Sequence, residues 1–210
     1  QTCKPAQTLA LNHKSAQVSV VQSDGAAATA VSMGIPLAIN RAHPDFPALL
    51  LAATFLGQHR QFNGVLMNEV RVKRGLNYGT YAYAEHFSQA SKTRFPLTNT
   101  SRRGQHFSVW IRPIEDSQAY FTIELVKHLL RETISKGISN EAFERTRQFA
   151  MHYYPLYLQS QSRRLGFSID DAFYGQDQTF IERLHQSWEN LTVQDFNAVL
   201  KKHLSLEHLQ

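Results

Sequence analysis

Cysteine is almost absent from this chain of 210 residues, which contains only Cys3. A single cysteine excludes an internal disulfide and any metal site built on a Cys-x-x-Cys pair. Long apolar runs are absent too, since the longest, Phe46–Leu56, is far shorter than the ~20 residues that a transmembrane helix needs. We therefore expect no membrane span. Neither absence fixes the compartment, and the bacterial periplasm and the cytoplasm both stay open.

The chain also lacks a dense basic segment, although its net charge is +5 and its pI is near 9.4. Its basic residues occur in scattered pairs among 17 acidic ones, whereas a nucleic-acid-binding surface needs a clustered basic stripe. We therefore expect no nucleic-acid partner. The competing hypothesis places nucleic acid on Arg94, Arg102 and Arg103 with nearby aromatic residues, and it requires binding that weakens steeply with salt.

The overall composition is that of a globular protein, with 42% hydrophobic and 19% charged residues. The length allows one sizeable core and is too short for two full domains. We therefore expect a single domain over residues 1–210. Because the chain begins with Gln1 rather than Met, we interpret it as a processed product or a fragment of a longer chain.

Strand-forming patterns dominate the first half of the sequence. Alternating or β-branched and aromatic residues bounded by turn residues predict strands. A polar stretch, residues 85–105, separates the last two and is expected to form a long connection. The predicted strands are residues 8–12, 17–22, 27–39 (with a bulge near Gly34 and Pro36), 78–83 and 106–114.

Helix-forming patterns lie between the strands and through the second half. Asp45 and Pro47 favour the start of a helix that is apolar nearly all round and should be buried, and Gly57 favours its end. A second helix is predicted over residues 62–74, and a long amphipathic one between Asp116 and Gly137. Further helices follow, capped by Ser139 and Thr192 and interrupted at Pro155. This order predicts an α+β domain in which helices pack on one face of a mixed β-sheet.

The junction after the second helix carries the first candidate site. A helix that ends at Gly75 and leads directly into a strand near Tyr78 would place Arg71 and Tyr78 beside one space. Together, a guanidinium and a phenol can donate hydrogen bonds to a carbonyl oxygen or a carboxylate. Each also has an ordinary structural explanation, because Arg stabilises helix C-termini and Tyr favours strands.

Four segments resemble the pitrilysin (insulinase) family of zinc metallopeptidases. Residues 62–78, Phe-Asn-Gly-Val-Leu-Met-Asn-Glu-Val-Arg-Val-Lys-Arg-Gly-Leu-Asn-Tyr, are similar to the family's Phe-Ser-x-x-Leu-x-x-Glu-Leu-Arg-x-x-x-Gly-Leu-x-Tyr. Residues 41–49 resemble one of its helix starts, residues 55–57 resemble its Ile-Leu-Gly-Gly helix end, and residues 137–143 resemble its Gly-Ile-Thr-x-Glu-Glu-Leu segment. In their order, these segments look like the non-catalytic C-terminal domain of the bacterial and mitochondrial-processing-peptidase-like members.

The sequence departs from the family pattern in three places. Gln58-His59-Arg60-Gln61 replaces a glycine-rich segment, and the connection over residues 85–105 is long. The family domain normally closes with a further strand, and the chain stops at Gln210. We therefore expect the last strand to be missing.

The resemblance implies a peptidase reaction but no metal site in this chain. The family holds catalytic zinc on an inverted His-x-x-Glu-His helix. Glu85-His86 has Ala82 in place of the first histidine, and Glu207-His208 has Leu204 there. We therefore expect no catalytic or metal-ligating residues here, no peptidase activity from this chain alone, and no cofactor in it; zinc is expected in a partner catalytic domain.

By resemblance, the chain is the substrate-binding half of a zinc metallopeptidase. It would close the peptide chamber and contribute Arg71 and Tyr78 near the zinc of another domain or subunit. The expected partners are that catalytic domain or subunit and a peptide substrate. The alternative is a structural subunit without peptidase activity, because the core proteins of respiratory complexes resemble the same fold.

Overall fold

A three-stranded antiparallel sheet is formed by the first half of the chain. The computed structural model describes residues 16–58, 63–85, 98, 101–177 and 179–210. Strands β1 (Thr29–Leu37), β2 (Asn77–Tyr83) and β3 (Gln105–Ile114) are arranged in the order β1-β3-β2. β3 is central because both of the other strands pair with it in antiparallel register, with a bulge in β1 between Thr29 and Val31.

Six α-helices and a short π-helix accompany the sheet in the described residues. Helix α1 (Phe46–Leu56) and the π-helix (Met67–Val72) lie between β1 and β2, and the other five α-helices follow β3. Short 3-10 turns connect some of them. The α-helices are α1 (Phe46–Leu56), α2 (Ala119–Lys136), α3 (Asn140–Tyr153), α4 (Gln161–Tyr174), α5 (Phe180–Asn190) and α6 (Val193–His203). The α+β class is confirmed, and the described part of the sheet is antiparallel throughout.

Helix α1 is the centre of the hydrophobic core. It contacts β2 on one side and α3, α5 and α6 on others, and its residues are almost all buried, which explains why it is apolar around its whole circumference. Trp188 of α5 donates its indole N–H to the Pro47 carbonyl oxygen at 2.8 Å. The helix ends at Gly57, as predicted, where the backbone N–H donates to the Ala53 carbonyl at 3.0 Å.

Three predictions from the sequence differ from the structure. The bulge predicted near Gly34 and Pro36 is absent there, because residues 34–36 pair with β3 in regular register and the bulge lies between Thr29 and Val31. No strand forms over residues 17–22, because this segment makes no ladder with the sheet and Val18 and Val20 are each 90% exposed. The helix predicted over residues 62–74 is shorter in the described part, where a helical turn from Val65 leads into the π-helix. The strand predicted over residues 8–12, Phe62 and most of the connection 86–100 lie outside the described residues.

Helices α3 and α6 in the second half of the chain begin at the predicted capping residues. Ser139 accepts a hydrogen bond from the Ala142 N–H at the start of α3, and Thr192 accepts one from Asp195 at the start of α6. Pro155 ends α3 by converting the chain to a 3-10 turn. In the described part of the chain, no helix has the length and apolar character that crossing a membrane requires.

Candidate functional site

The junction between the π-helix and β2 has the predicted form. Gly75 takes a positive φ of 65°, a conformation that glycine adopts at little cost, and its N–H donates to the Arg71 carbonyl at 2.8 Å. The next residue, Leu76, donates to the Val70 carbonyl at 3.1 Å. These two bonds close the helix end, and the chain enters β2 at Asn77.

Arg71 and Tyr78 meet at this junction. The Arg71 Cζ lies 4.5 Å from the centroid of the Tyr78 ring, within the range of a cation–π interaction. Tyr78 is 70% exposed, so the pair lies at the surface. The other contact of the guanidinium is a weak one, 4.0 Å from Arg71 Nη1 to the Met67 sulfur. The structure therefore brings the two predicted site residues together as a stacked pair.

The two cations that directly follow the π-helix each pair with a carboxylate, whereas Arg71 within the helix pairs with none in the described part of the chain. Lys73 Nζ and Arg74 Nη1 lie 2.5 and 3.0 Å from the two carboxylate oxygens of Glu69. Hydrogen bonds from Lys73 and then Arg74 hold the pKa of Glu69 below its usual range. Among the described residues Arg71 has no carboxylate partner, which leaves its N–H donors for a ligand.

An aromatic group on β2 and β3 was not predicted as part of a site. Tyr81 and Tyr83 lie on one face of β2 with ring centroids 6.3 Å apart, and Trp110 lies 6.2 Å from Tyr83. Arg112 stacks on Trp110 at 4.5 Å. The two-residue spacing of the tyrosines predicts that they share one face of β2. Trp110 joins them only because the antiparallel register of β2 and β3 places it opposite Tyr81.

A buried ion cluster lies away from this junction and was also missed. Arg41 Nε donates to Glu85 Oε2 at 2.7 Å, and Arg41 Nη1 donates to Asp170 Oδ2 at 2.9 Å. All three side chains are 1% exposed. Burial alone would lower the pKa of Arg41, but the two carboxylates outweigh it and raise that pKa. Glu85 belongs to one of the sequence's near matches to a zinc motif, and here its carboxylate is engaged by Arg41 and Gln105.

One set of potential metal ligands occurs among the described residues. His43 and Asp45, just before α1, lie beside His203 at the end of α6, and one ligand atom from each lies within 4.8 Å of the others. The approach of His203 to the start of α1 depends on helix packing and has no local signal.

The sequence model of the "Peptidase M16 inactive domain" matches residues 1–149, which is more than half of the chain. The chain belongs to this family. The match confirms the resemblance to the non-catalytic domain of pitrilysin-type peptidases. A curated relative from Helicobacter pylori, the "Non-peptidase homolog YmxG", is 23% identical over 148 residues, which are 70% of this chain and 31% of the relative. The chain thus spans about a third of that relative's length.

Solved structures share the fold of this M16 inactive domain. The peptidase M16 inactive domain from Pseudomonas fluorescens is 23% identical with a TM-score of 0.67, covering 86% of this chain and 39% of that one. A protease from Helicobacter pylori has a TM-score of 0.77 at 16% identity, covering 95% and 44%. The inactive peptidase domain of a protein classed as a zinc protease, from Bordetella parapertussis, has a TM-score of 0.65 at 16% identity, covering 88% and 89%.

Proposed function

We propose that this M16 inactive domain is the substrate-binding half of a zinc metallopeptidase. It closes one side of a peptide chamber, and the catalytic zinc belongs to another domain or subunit. The observation that carries the proposal is the Arg71–Tyr78 pair, in which exposed Tyr78 stacks at 4.5 Å on half-buried Arg71, in a member of the M16 inactive-domain family.

The chemistry of the pair suits a peptide near a metal. The substrate carbonyl gains negative charge as water attacks it, and preorganised donors aimed at that oxygen lower the barrier. Arg71 supplies a fixed fork of N–H donors and Tyr78 supplies a hydroxyl. The stack holds the guanidinium in one orientation, so less side-chain entropy is lost when substrate binds.

The first test asks whether cleavage needs two parts. This chain and a catalytic M16 domain carrying His-x-x-Glu-His are assayed on a fluorogenic peptide, separately and mixed, with Zn²⁺ present. We expect no hydrolysis by this chain alone and the highest kcat/KM from the mixture. Hydrolysis by this chain alone would contradict the proposal.

The second test concerns the two residues in the complete enzyme. Arg71→Ala and Tyr78→Phe each remove donors, and we expect kcat/KM to fall by about 10²-fold for a donor that acts in the transition state. Arg131→Ala and Tyr120→Phe are matched controls, because both residues are exposed on α2. Equal activity in the Arg71, Tyr78 and control variants would remove the proposed role.

A structural subunit is the second candidate function. It is favoured by the relative from Helicobacter pylori, which is named a non-peptidase homologue. The domain that accompanies this chain distinguishes the two functions. If that domain lacks an intact His-x-x-Glu-His helix, and the complete protein cleaves no peptide with Zn²⁺ present, the structural role replaces the peptidase role.

A further inference from the structure

We infer that His43, Asp45 and His203 form a binding site for a divalent transition-metal ion. One ligand atom of each residue lies within 4.8 Å of the other two. Asp45 Oδ2 is 2.7 Å from His203 Nε2 and 3.9 Å from His43 Nδ1. The two imidazole rings meet edge-to-face with their centroids 5.6 Å apart, so both rings border the same small space.

Two imidazoles and a carboxylate are a ligand set that Zn²⁺, Ni²⁺ and Cu²⁺ accept. Bonds of about 2.0–2.2 Å to one ion place neighbouring ligand atoms about 3.3 Å apart. The two separations from Asp45, 2.7 and 3.9 Å, lie on either side of that value, and all three ligand atoms lie within 4.8 Å of one another, so side-chain rotations must bring them to it. Three protein ligands leave the remaining coordination positions to water.

The fold holds these ligands in place from two distant parts of the chain. His43 and Asp45 flank Pro44 in a tight turn, in which the Phe46 N–H donates to the His43 carbonyl at 3.0 Å. His203 is the last residue of α6 and its side chain is only 11% exposed, which restricts its orientation. A bound ion would therefore connect the start of α1 to the end of α6.

Three existing contacts must give way to the ion, and the first is the hydrogen bond of 2.7 Å between His203 Nε2 and Asp45 Oδ2. The Asp45 N–H donates to His43 Nδ1 at 3.1 Å, and coordination through that nitrogen replaces this bond. Lys202 Nζ lies 2.7 Å from Asp45 Oδ2 and supplies the positive charge that an ion would bring. Because the Lys202 side chain is 62% exposed, it can turn into solvent at little cost.

The test is a titration of the chelator-treated protein with Zn²⁺ and, separately, Ni²⁺ by calorimetry. We expect one saturable site per chain and a melting temperature raised by roughly 5 °C at saturation, because the ion binds only the folded protein. Asp45→Asn, His43→Ala and His203→Ala should each weaken binding at least tenfold. Lys202→Met should instead tighten it, because it removes the competing cation.

The control is His185→Ala, which removes an exposed histidine on α5 that pairs with Glu189 and should leave binding unchanged. Circular dichroism verifies the fold of each variant. His43 is the more exposed of the two histidines, so His43→Ala keeps the test valid if His203→Ala does not fold. Absence of saturable binding, or equal affinity in wild type and the ligand variants, would overturn the site and leave Asp45 as the centre of an ion-pair cluster.

Discussion

Arg41 carries a charge that is enclosed in protein, with its side chain 1% exposed. It lies between Glu85 and Asp170, and its guanidinium stacks on Phe180 at 4.8 Å. Buried ion pairs of this kind add little net stability compared with apolar residues, because desolvation offsets their attraction. Removing Arg41 alone has a larger effect on stability, because Glu85 and Asp170 would then stay buried without the cation that they share.

We therefore predict that Arg41→Met lowers the free energy of unfolding by about 3–5 kcal/mol. Urea denaturation followed by tryptophan fluorescence measures it. Arg131→Met, on the exposed side of α2, is the control and should change stability by less than about 0.5 kcal/mol. A loss below about 1 kcal/mol for Arg41→Met would show that water reaches the two carboxylates.

Where α1 ends, the backbone of Gly57 and the backbone of Gly64 lie too close together for a side chain at residue 64. A Cβ added to Gly64 would lie 2.3 Å from the Gly57 Cα and 2.8 Å from its nitrogen, both backbone atoms that cannot move aside independently. The segment between these glycines differs from the family's glycine-rich pattern, yet glycine remains at both positions of closest approach. The contact between the two backbone segments explains why a residue without a side chain is required at position 64.

Gly64→Ala should therefore lower stability by at least about 2 kcal/mol, because a methyl group must separate two backbone segments. Gly34→Ala is the matched control: its added Cβ would meet only the Phe107 carbonyl oxygen, at 3.9 Å, and β1 needs no positive φ there. We expect a change under about 1 kcal/mol for that variant. Thermal unfolding of both proteins measures the difference, and equal losses would contradict the close approach.

The π-helix should respond to acid through Glu69. The hydrogen bonds from Lys73 and Arg74 lower the pKa of Glu69, so its folded pKa lies below its unfolded one. Such a group stabilises the protein above the unfolded pKa, and that contribution is lost as pH falls through the folded pKa. We predict that wild type is more stable than Glu69→Gln at neutral pH, with the difference disappearing in acid.

Denaturant unfolding of wild type and Glu69→Gln, measured from neutral to acid pH, gives the difference in their free energies of unfolding. Lys127→Gln serves as a control, because it breaks the exposed pair with Glu124 on α2 and leaves the π-helix intact. A difference between wild type and Glu69→Gln that is the same at every pH would assign the effect to packing rather than charge.

At the scale of the whole molecule, the positive charge is dispersed, and part of it is paired with acidic residues three to five positions away in the chain. Such pairs produce a surface of alternating sign, which attracts a polyanion weakly. Lys73 and Arg74 pair with Glu69 at the end of the π-helix. The pairs within α-helices are Lys127 with Glu124, Lys136 with Glu132, Arg145 with Glu141 and Arg147 with Glu144.

We predict no saturable nucleic-acid binding by this protein, even at ~50 mM salt where phosphate contacts are strong. Fluorescence anisotropy with labelled single- and double-stranded oligonucleotides measures it, with a known basic nucleic-acid-binding domain as the positive control. Tight binding that weakens steeply with salt would revive the hypothesis that Arg94, Arg102 and Arg103 hold nucleic acid.

The sequence by itself determined the elements whose signals are local. Helix α1 with its Gly57 end, the stop at Gly75 and strand β2 follow from residues that are neighbours in the chain. The Arg71–Tyr78 pair could be predicted for the same reason, since seven residues and one turn separate them. The strand predicted over residues 17–22 was wrong because alternation alone supplies no neighbouring strand to pair with.

Only the tertiary structure decided the contacts between distant segments. The strand order β1-β3-β2 and the meeting of Arg41 with Asp170, 129 positions apart, depend on how helices pack on the sheet. The same holds for Asp45 and His203, which are separated by 158 positions. Local patterns specify which face of an element is apolar, but they do not specify which other element covers it, and that pairing creates both clusters.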